Sequence, residues 1–153
     1  EKLVDLIYNP FHQNIRNLYD NFKKNNFKKV FHLDLHSMPS QGTSEHRDPG
    51  ELRADVVISD NEGKSAEREF VDLVIAAYAR AGFKVAYNWP YVGGLITEQY
   101  GDPSRGQQVV QVELNRGLYM DESTKKIKNE AAAEITKKLE RALSYIRRCG
   151  KII

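Results

Sequence analysis

The chain has 153 residues, 41% of them hydrophobic, which suffices for one domain with a core and is too little for two ordinary ones. Its 23 basic and 21 acidic side chains leave a formal net charge of +2, so no global field favours nucleic acid or an anionic lipid surface. The lone Cys149 excludes an internal disulfide and a multi-cysteine metal site, and with no membrane-length apolar run and no signal-peptide pattern a soluble, cytoplasmic protein is expected.

Leu3, Val4, Leu6 and Ile7 show helical spacing, as though the chain begins inside an element. The pattern predicts a helix over residues 1–8, broken at Asn9-Pro10, with Pro10 in the first turn of a new helix. Phe11, Ile15, Leu18, Tyr19 and Phe22 then form a core-facing stripe to Asn25, with His12 on the polar side. Residues 28–36 predict a buried parallel strand on Val30, Phe31, Leu33 and Leu35, which Ser37 to Gly42 cannot continue. The long polar connection 37–53 follows it. Residues 54–59 form a second strand, and Asp60-Asn61-Glu62-Gly63 a turn. Ser65 is placed as the cap of a long helix that carries Phe70, Leu73, Val74, Ala77 and Tyr78 and stops at Gly82. Residues 83–88 make a third strand, 89–107 a second long connection, and 109–114 a fourth strand. A last helix runs from Ser123 or Thr124 to Cys149 with Ile127, Ala131, Ile135, Leu139, Ala142 and Ile146 on its buried side. The alternation predicts one α/β domain over 1–153, with a mainly parallel or mixed sheet and helices on both faces. In parallel strands, the loops after strands one and three and the end of strand four open at one edge, where such sheets bind ligands.

Three features there can carry chemistry. His36, at the predicted carboxyl end of strand one, suits a metal ligand or base, or a hydrogen-bonded structural histidine. On strand four Gln111 and Glu113 share one face while Val110, Val112 and Leu114 take the other. A carboxylate on so apolar a strand is costly unless paired or used. It could bond Arg116 or Lys84, or it could take a proton from water. The connection from Asn88 holds Gly93-Gly94, which permits close backbone approach, and the neutral donors Asn88, Tyr91, Thr97 and Tyr100. It lacks phosphate-loop spacing and is read as not opening directly into a helix; a surface hairpin is the other reading.

Taken together, Asp34-Leu35-His36-Ser37-Met38-Pro39-Ser40, Ala54 to Asp60, Asn88-x-Pro90-Tyr91-x-Gly93-Gly94-x-Ile96-Thr97 with Tyr100-Gly101, and Gln111-x-Glu113-x-Asn115-Arg116-x-Leu118-Tyr119-Met120 resemble the N-formylglutamate amidohydrolase family. The resemblance covers about residues 5–140. It implies a phosphorylase/hydrolase-like α/β fold and a zinc-dependent hydrolase akin to zinc carboxypeptidases and aspartoacylase, acting on the amide of a small N-acyl amino acid such as N-formylglutamate. It implies His36 as a zinc ligand and Glu113 as the residue that activates the attacking water. Asn88, Tyr91, Gly93, Gly94 and Thr97 would form the substrate loop. An arginine should grip the substrate carboxylate, with Arg116 the first candidate beside Arg47, Arg53 and Arg105.

The chain departs from the family pattern in one place: no His-x-x-Glu pair precedes His36. His12 stands alone, His46 lies in a loop, and His32 on a straight strand would be about 13 Å from His36, too far to share a metal. The chain is therefore expected to be the carboxyl-terminal larger part of a longer catalytic domain, with the remaining zinc ligands upstream of Glu1. The alternative is a non-catalytic module that keeps the fold and binds a small carboxylate or a partner.

Overall fold

The computed structural model describes residues 2–150, so Glu1 and residues 151–153 lie outside it. The chain divides into two compact units, one up to Val30 and one from Phe31 onward. In the first, a π-helical turn, Val4–Tyr8, runs without a break into α1, Asn9–Lys24. Asn9 is helical at φ −60 and ψ −47, and its amide donates to Val4 O, five residues back. That widened turn relieves the clash a proline ring makes with the carbonyl four residues before it, so Pro10 sits in the first turn of α1 without interrupting the chain's helical course. The predicted core stripe is also displaced. Phe11, Leu18 and Phe22 are 51%, 58% and 37% exposed, whereas the adjacent line of His12, Ile15 and Tyr19 is the covered one. Tyr8 and Phe11 place their rings 4.1 and 5.3 Å from His12, which is buried rather than polar-facing.

The second unit is a mixed α/β fold with a four-stranded sheet in the order β1-β4-β2-β3. Its strands are β1, Val30–Met38; β2, Val56–Ser59; β3, Val85–Tyr87; and β4, Gln107–Asn115. β2 and β3 are parallel, with Val56 opposite Val85 and Ile58 opposite Tyr87. β4 runs antiparallel to β2, pairing Glu113 with Val57 and Gln111 with Ser59. The sheet is thus mixed rather than mainly parallel. The connection from β3 to β4 explains it: its helix α3, Leu95–Tyr100, has six residues and rises only about 9 Å, too little to carry the chain back across the sheet. β4 therefore starts at the edge where β3 ends.

Helix α2, Arg68–Arg80, and helix α4, Asn129–Cys149, share one core with the sheet. Val56 and Ile58 of β2 and Val110 and Val112 of β4 meet Phe70, Val71, Val74 and Tyr78 of α2 and Ile135, Ala142 and Ile146 of α4. Burying side chains of this size contributes about 1.5–3 kcal/mol each. β1 is an edge strand: Phe31 and Leu33 pack against this core, but Leu35 is 58% exposed, so β1 is not the buried central strand its apolar run predicts.

Two helix starts also differ from expectation. Ser65 does not cap α2. Its hydroxyl donates to Val109 O, tying the turn to β4, and Glu67 occupies the cap position. The last helix starts at Asn129 because the Asp121 carboxylate accepts from Ser123 N, Ser123 Oγ and Thr124 N. These donors hold the segment in a turn and lower the Asp121 pKa to about 2. Ile127 is left 54% exposed before the helix begins.

Candidate active site

Because strand side chains alternate, the residues that pair β2 with β4 place Val57 and Ser59 beside Glu113 and Gln111 on the face opposite Val110 and Val112. Glu113 is 8% exposed and Gln111 5%. The carboxylate receives one side-chain donor, Gln111 Nε2, at 3.0 Å from its Oε1. Burial raises the Glu113 pKa, and the nearby Asp34 carboxylate adds to the rise. His36, Arg116 and Arg53 oppose it, in that order. Glu113 is thus a desolvated acid within electrostatic reach of Arg116 and Arg53 and of Asp34 and His36 on β1, the environment that tunes a proton acceptor.

Those two β1 side chains lie on the face away from Phe31 and Leu33. His36 Nε2 stands 3.0 Å from Asp34 Oδ2, with side-chain exposures of 48% and 15%. A histidine that donates one ring N–H to a carboxylate has its orientation fixed and turns its other nitrogen, here Nδ1, toward a further partner. β1 continues past His36 through Ser37 to Met38, which is 1% exposed. Ser37 and Met38 therefore extend the strand instead of ending it, and His36 lies two residues inside its carboxyl end.

The connection after β3 crosses the edge at Ser59. Ser59 Oγ donates to Tyr91 O at 2.8 Å and Asn61 N to Val92 O at 2.7 Å, fixing the loop over the end of β2. Asn88 adopts φ +52 and binds Asp60 twice, donating from Nδ2 to Oδ1 and accepting the Asp60 amide. Thr97 Oγ1 donates to Gly94 O at 2.7 Å and accepts Gly94 N at 3.0 Å. Asn88 and Thr97 therefore shape the loop. Gly93 has φ +136, and a Cβ there would fall 2.5 Å from Thr97 Oγ1, so conformation and space both require glycine. Contrary to the sequence reading, Gly94 opens directly into a helix, α3.

Of the four candidate arginines, Arg53 is 9% exposed and wholly engaged in structure. Its Nε and Nη2 bind Asp48 at 2.7 and 2.8 Å, and Nη1 donates to Tyr91 Oη at 2.8 Å and Pro39 O at 3.3 Å. Tyr91 Oη, having accepted from the guanidinium, keeps its own O–H to donate. Arg47 lies 5.3 Å over the Trp89 ring, and Arg105 faces Asp102 at 3.8 Å while 64% exposed. Arg116 is 35% exposed, with Nε 3.5 Å from Glu122, and is the arginine whose field reaches Glu113 without a bidentate carboxylate partner. Glu122 also accepts Ser40 N at 3.0 Å and the Ser40 hydroxyl, joining the loop after β1 to that after β4.

Asp48 and Glu122 carry no signal in the sequence, because loop residues have no periodicity that says which will be buried, and Asp60 is legible there only as a turn residue and as part of the segment 54–60. Asp34 was readable, since residues two apart on a strand share a face. Among the described residues no three His, Cys, Asp or Glu side chains come together to hold a metal ion. Zinc takes at least three protein ligands, so the residues present do not by themselves fit a zinc site.

Three comparisons bear on this geometry. The family model for N-formylglutamate amidohydrolase matches residues 1–120. An N-formylglutamate deformylase from Pseudomonas putida is 28% identical over 124 residues, covering 80% of this chain and 45% of that protein. The crystal structure of an N-formylglutamate amidohydrolase from Ralstonia eutropha JMP134 superposes with a TM-score of 0.78 at 28% identity, covering 99% of this chain and 53% of that one. A gene product from Agrobacterium tumefaciens shares the fold at 21% identity and a TM-score of 0.59, covering 94% of this chain and 53% of its own. The chain spans about half the length of the relatives it matches.

Proposed function

The chain belongs to the N-formylglutamate amidohydrolase family, and from that premise we propose that the protein hydrolyses the amide of an N-acyl amino acid, N-formylglutamate being the reference substrate. The observation that carries the reading is Glu113: a buried carboxylate with a raised pKa, held by one neutral donor beside Asp34, His36 and Arg116.

In the proposed reaction Glu113 takes a proton from water as the water oxygen attacks the formyl carbon. The carbon–nitrogen bond of the resulting tetrahedral species breaks, Glu113 returns the proton to the departing amine, and formate and glutamate leave. Arg116 meets a substrate carboxylate. The Tyr91 hydroxyl and the backbone around Gly93 and Gly94 line the loop that receives the acyl amino acid, with Asn88 and Thr97 fixing its shape. We assign His36 as the residue of this chain that would contribute to holding the zinc that the family resemblance implies. Because the described residues do not complete such a site, the proton steps above are ascribed to Glu113 alone. Among the described residues no helix is long and apolar enough to cross a membrane, and the lone cysteine fits the reducing cytoplasm in which we place the enzyme.

Substrate charge tests the reading. Arg116→Ala is expected to raise KM for N-formylglutamate by about tenfold or more, and to leave KM for a neutral N-formyl amino acid amide nearly unchanged. Equal effects on both would remove Arg116 from carboxylate recognition.

A further inference from the structure

Gln111 sits two residues before Glu113 on β4, 5% exposed, with its amide nitrogen 3.0 Å from Glu113 Oε1. It is the side-chain donor that the described structure gives this carboxylate. The terminal torsion of a glutamate is soft, so a single directed donor decides where its oxygens point. The loop after β3 passes over Gln111. Ser59, the partner of Gln111 across the sheet, binds Tyr91 O and so brings the Gly93-Gly94 segment down onto β4.

Gly94 shows how close that approach is. A Cβ at this position would lie 3.0 Å from Gln111 Oε1, the nearest atom it would meet beyond its own stretch of chain among the described residues. The backbone there, at φ −145 and ψ −165, is extended and open to any residue. Conformation therefore does not demand glycine at 94, in contrast to 93. A methyl there would instead press on the Gln111 amide oxygen, which would have to give by a few tenths of an ångström.

We propose that Gln111 is a positioning residue that aims the Glu113 carboxylate, and that Gly94 lacks a side chain in order to admit it, so that the loop receiving substrate is coupled to the base through one side-chain amide. This rests on the proposed role of Glu113, but its physical content, the Gly94–Gln111–Glu113 relay, can be measured without turnover.

The test is NMR on the whole chain labelled with nitrogen-15 and carbon-13. The native protein is expected to show a scalar coupling across the hydrogen bond from Gln111 Nε2 to the Glu113 carboxyl carbon, and a single Glu113 rotamer. Gly94→Ala, which keeps Gln111 and the backbone, is expected to weaken that coupling and to broaden the Glu113 rotamer distribution while the β4 backbone amides keep their shifts. Gln111→Met should average Glu113 in the same way, and adding Gly94→Ala to it should do nothing more. A Glu113 side chain equally ordered in native and Gly94→Ala protein would overturn the proposal, even if Gln111→Met failed to fold. Absence of hydrolysis by the native protein would count against the proposed reaction, whereas the Glu113 rotamers alone decide the relay.

Discussion

Two buried charges within electrostatic reach of each other are treated in opposite ways. Arg53 has its guanidinium bound on two nitrogens by Asp48 and on the third by Tyr91 and Pro39 O. Glu113 has one amide donor and a pKa raised by burial. A charge whose hydrogen bonds are all made within the protein fixes loops in place, here those of residues 39–53 and 88–94. A charge left short of partners retains free energy that a proton, a water or a ligand can release. The difference separates the part of the site that is scaffold from the part that can react.

The largest effect should come from breaking the scaffold. Asp48→Ala strands the Arg53 guanidinium in the interior, and removing one partner of a buried pair costs about 3–5 kcal/mol, read as a lower denaturant midpoint. The same pair predicts an acid limb. Arg53 holds Asp48 below its ordinary 3.8, so its contribution is complete above the unfolded value and fades as pH falls below about 4. A chain whose stability is flat from pH 6 to 2 would contradict the pairing.

Glu113 should behave in the opposite sense. Its folded pKa is raised, so the protonated acid is the better fit to the fold, and its contribution is present at low pH and lost as pH rises through that value. Glu113→Gln is therefore expected to raise the thermal midpoint at pH 7 by a few degrees, and to have less effect at pH 4. A lower midpoint at pH 7 would show that the carboxylate is structurally satisfied after all.

A subtler probe is Asp34→Asn. Asp34 pushes the Glu113 pKa upward, so its neutral replacement should lower the Glu113 titration midpoint, followed by carbon-13 NMR. No movement, or a rise, would take Asp34 out of the site. The smallest effect concerns zinc. Calorimetric titration of this chain is expected to show binding weaker than about 1 μM, against the 10 kcal/mol or more that complete structural sites release. Tighter binding would mean that the described residues assemble a ligand set after all.

The sequence is most legible where period and burial agree. Val110, Val112, Gln111 and Glu113 alternate on one strand with little ambiguity, and the two faces are found as expected. It is least legible where a polar contact decides the geometry. Ser65 looks like a helix cap, yet it bonds a strand carbonyl, and Ser123 looks like a helix start, yet Asp121 captures its amide. The direction of β4 depends on how far a six-residue helix can carry the chain, which no local pattern in residues 89–107 announces. In the site, His36 and Glu113 stand out as polar residues on apolar strands. Asp48, whose partner Arg53 lies across an irregular loop, does not.

The assignment of Glu113 to proton transfer meets its most direct test in formate release from N-formylglutamate by the protein and by its Glu113→Gln variant, compared at equal folded concentration. The amide keeps the shape of the side chain and cannot accept the proton, so turnover should fall by about 10² to 10⁴ with the fold intact. Undiminished formate release by a folded Glu113→Gln protein would contradict the account.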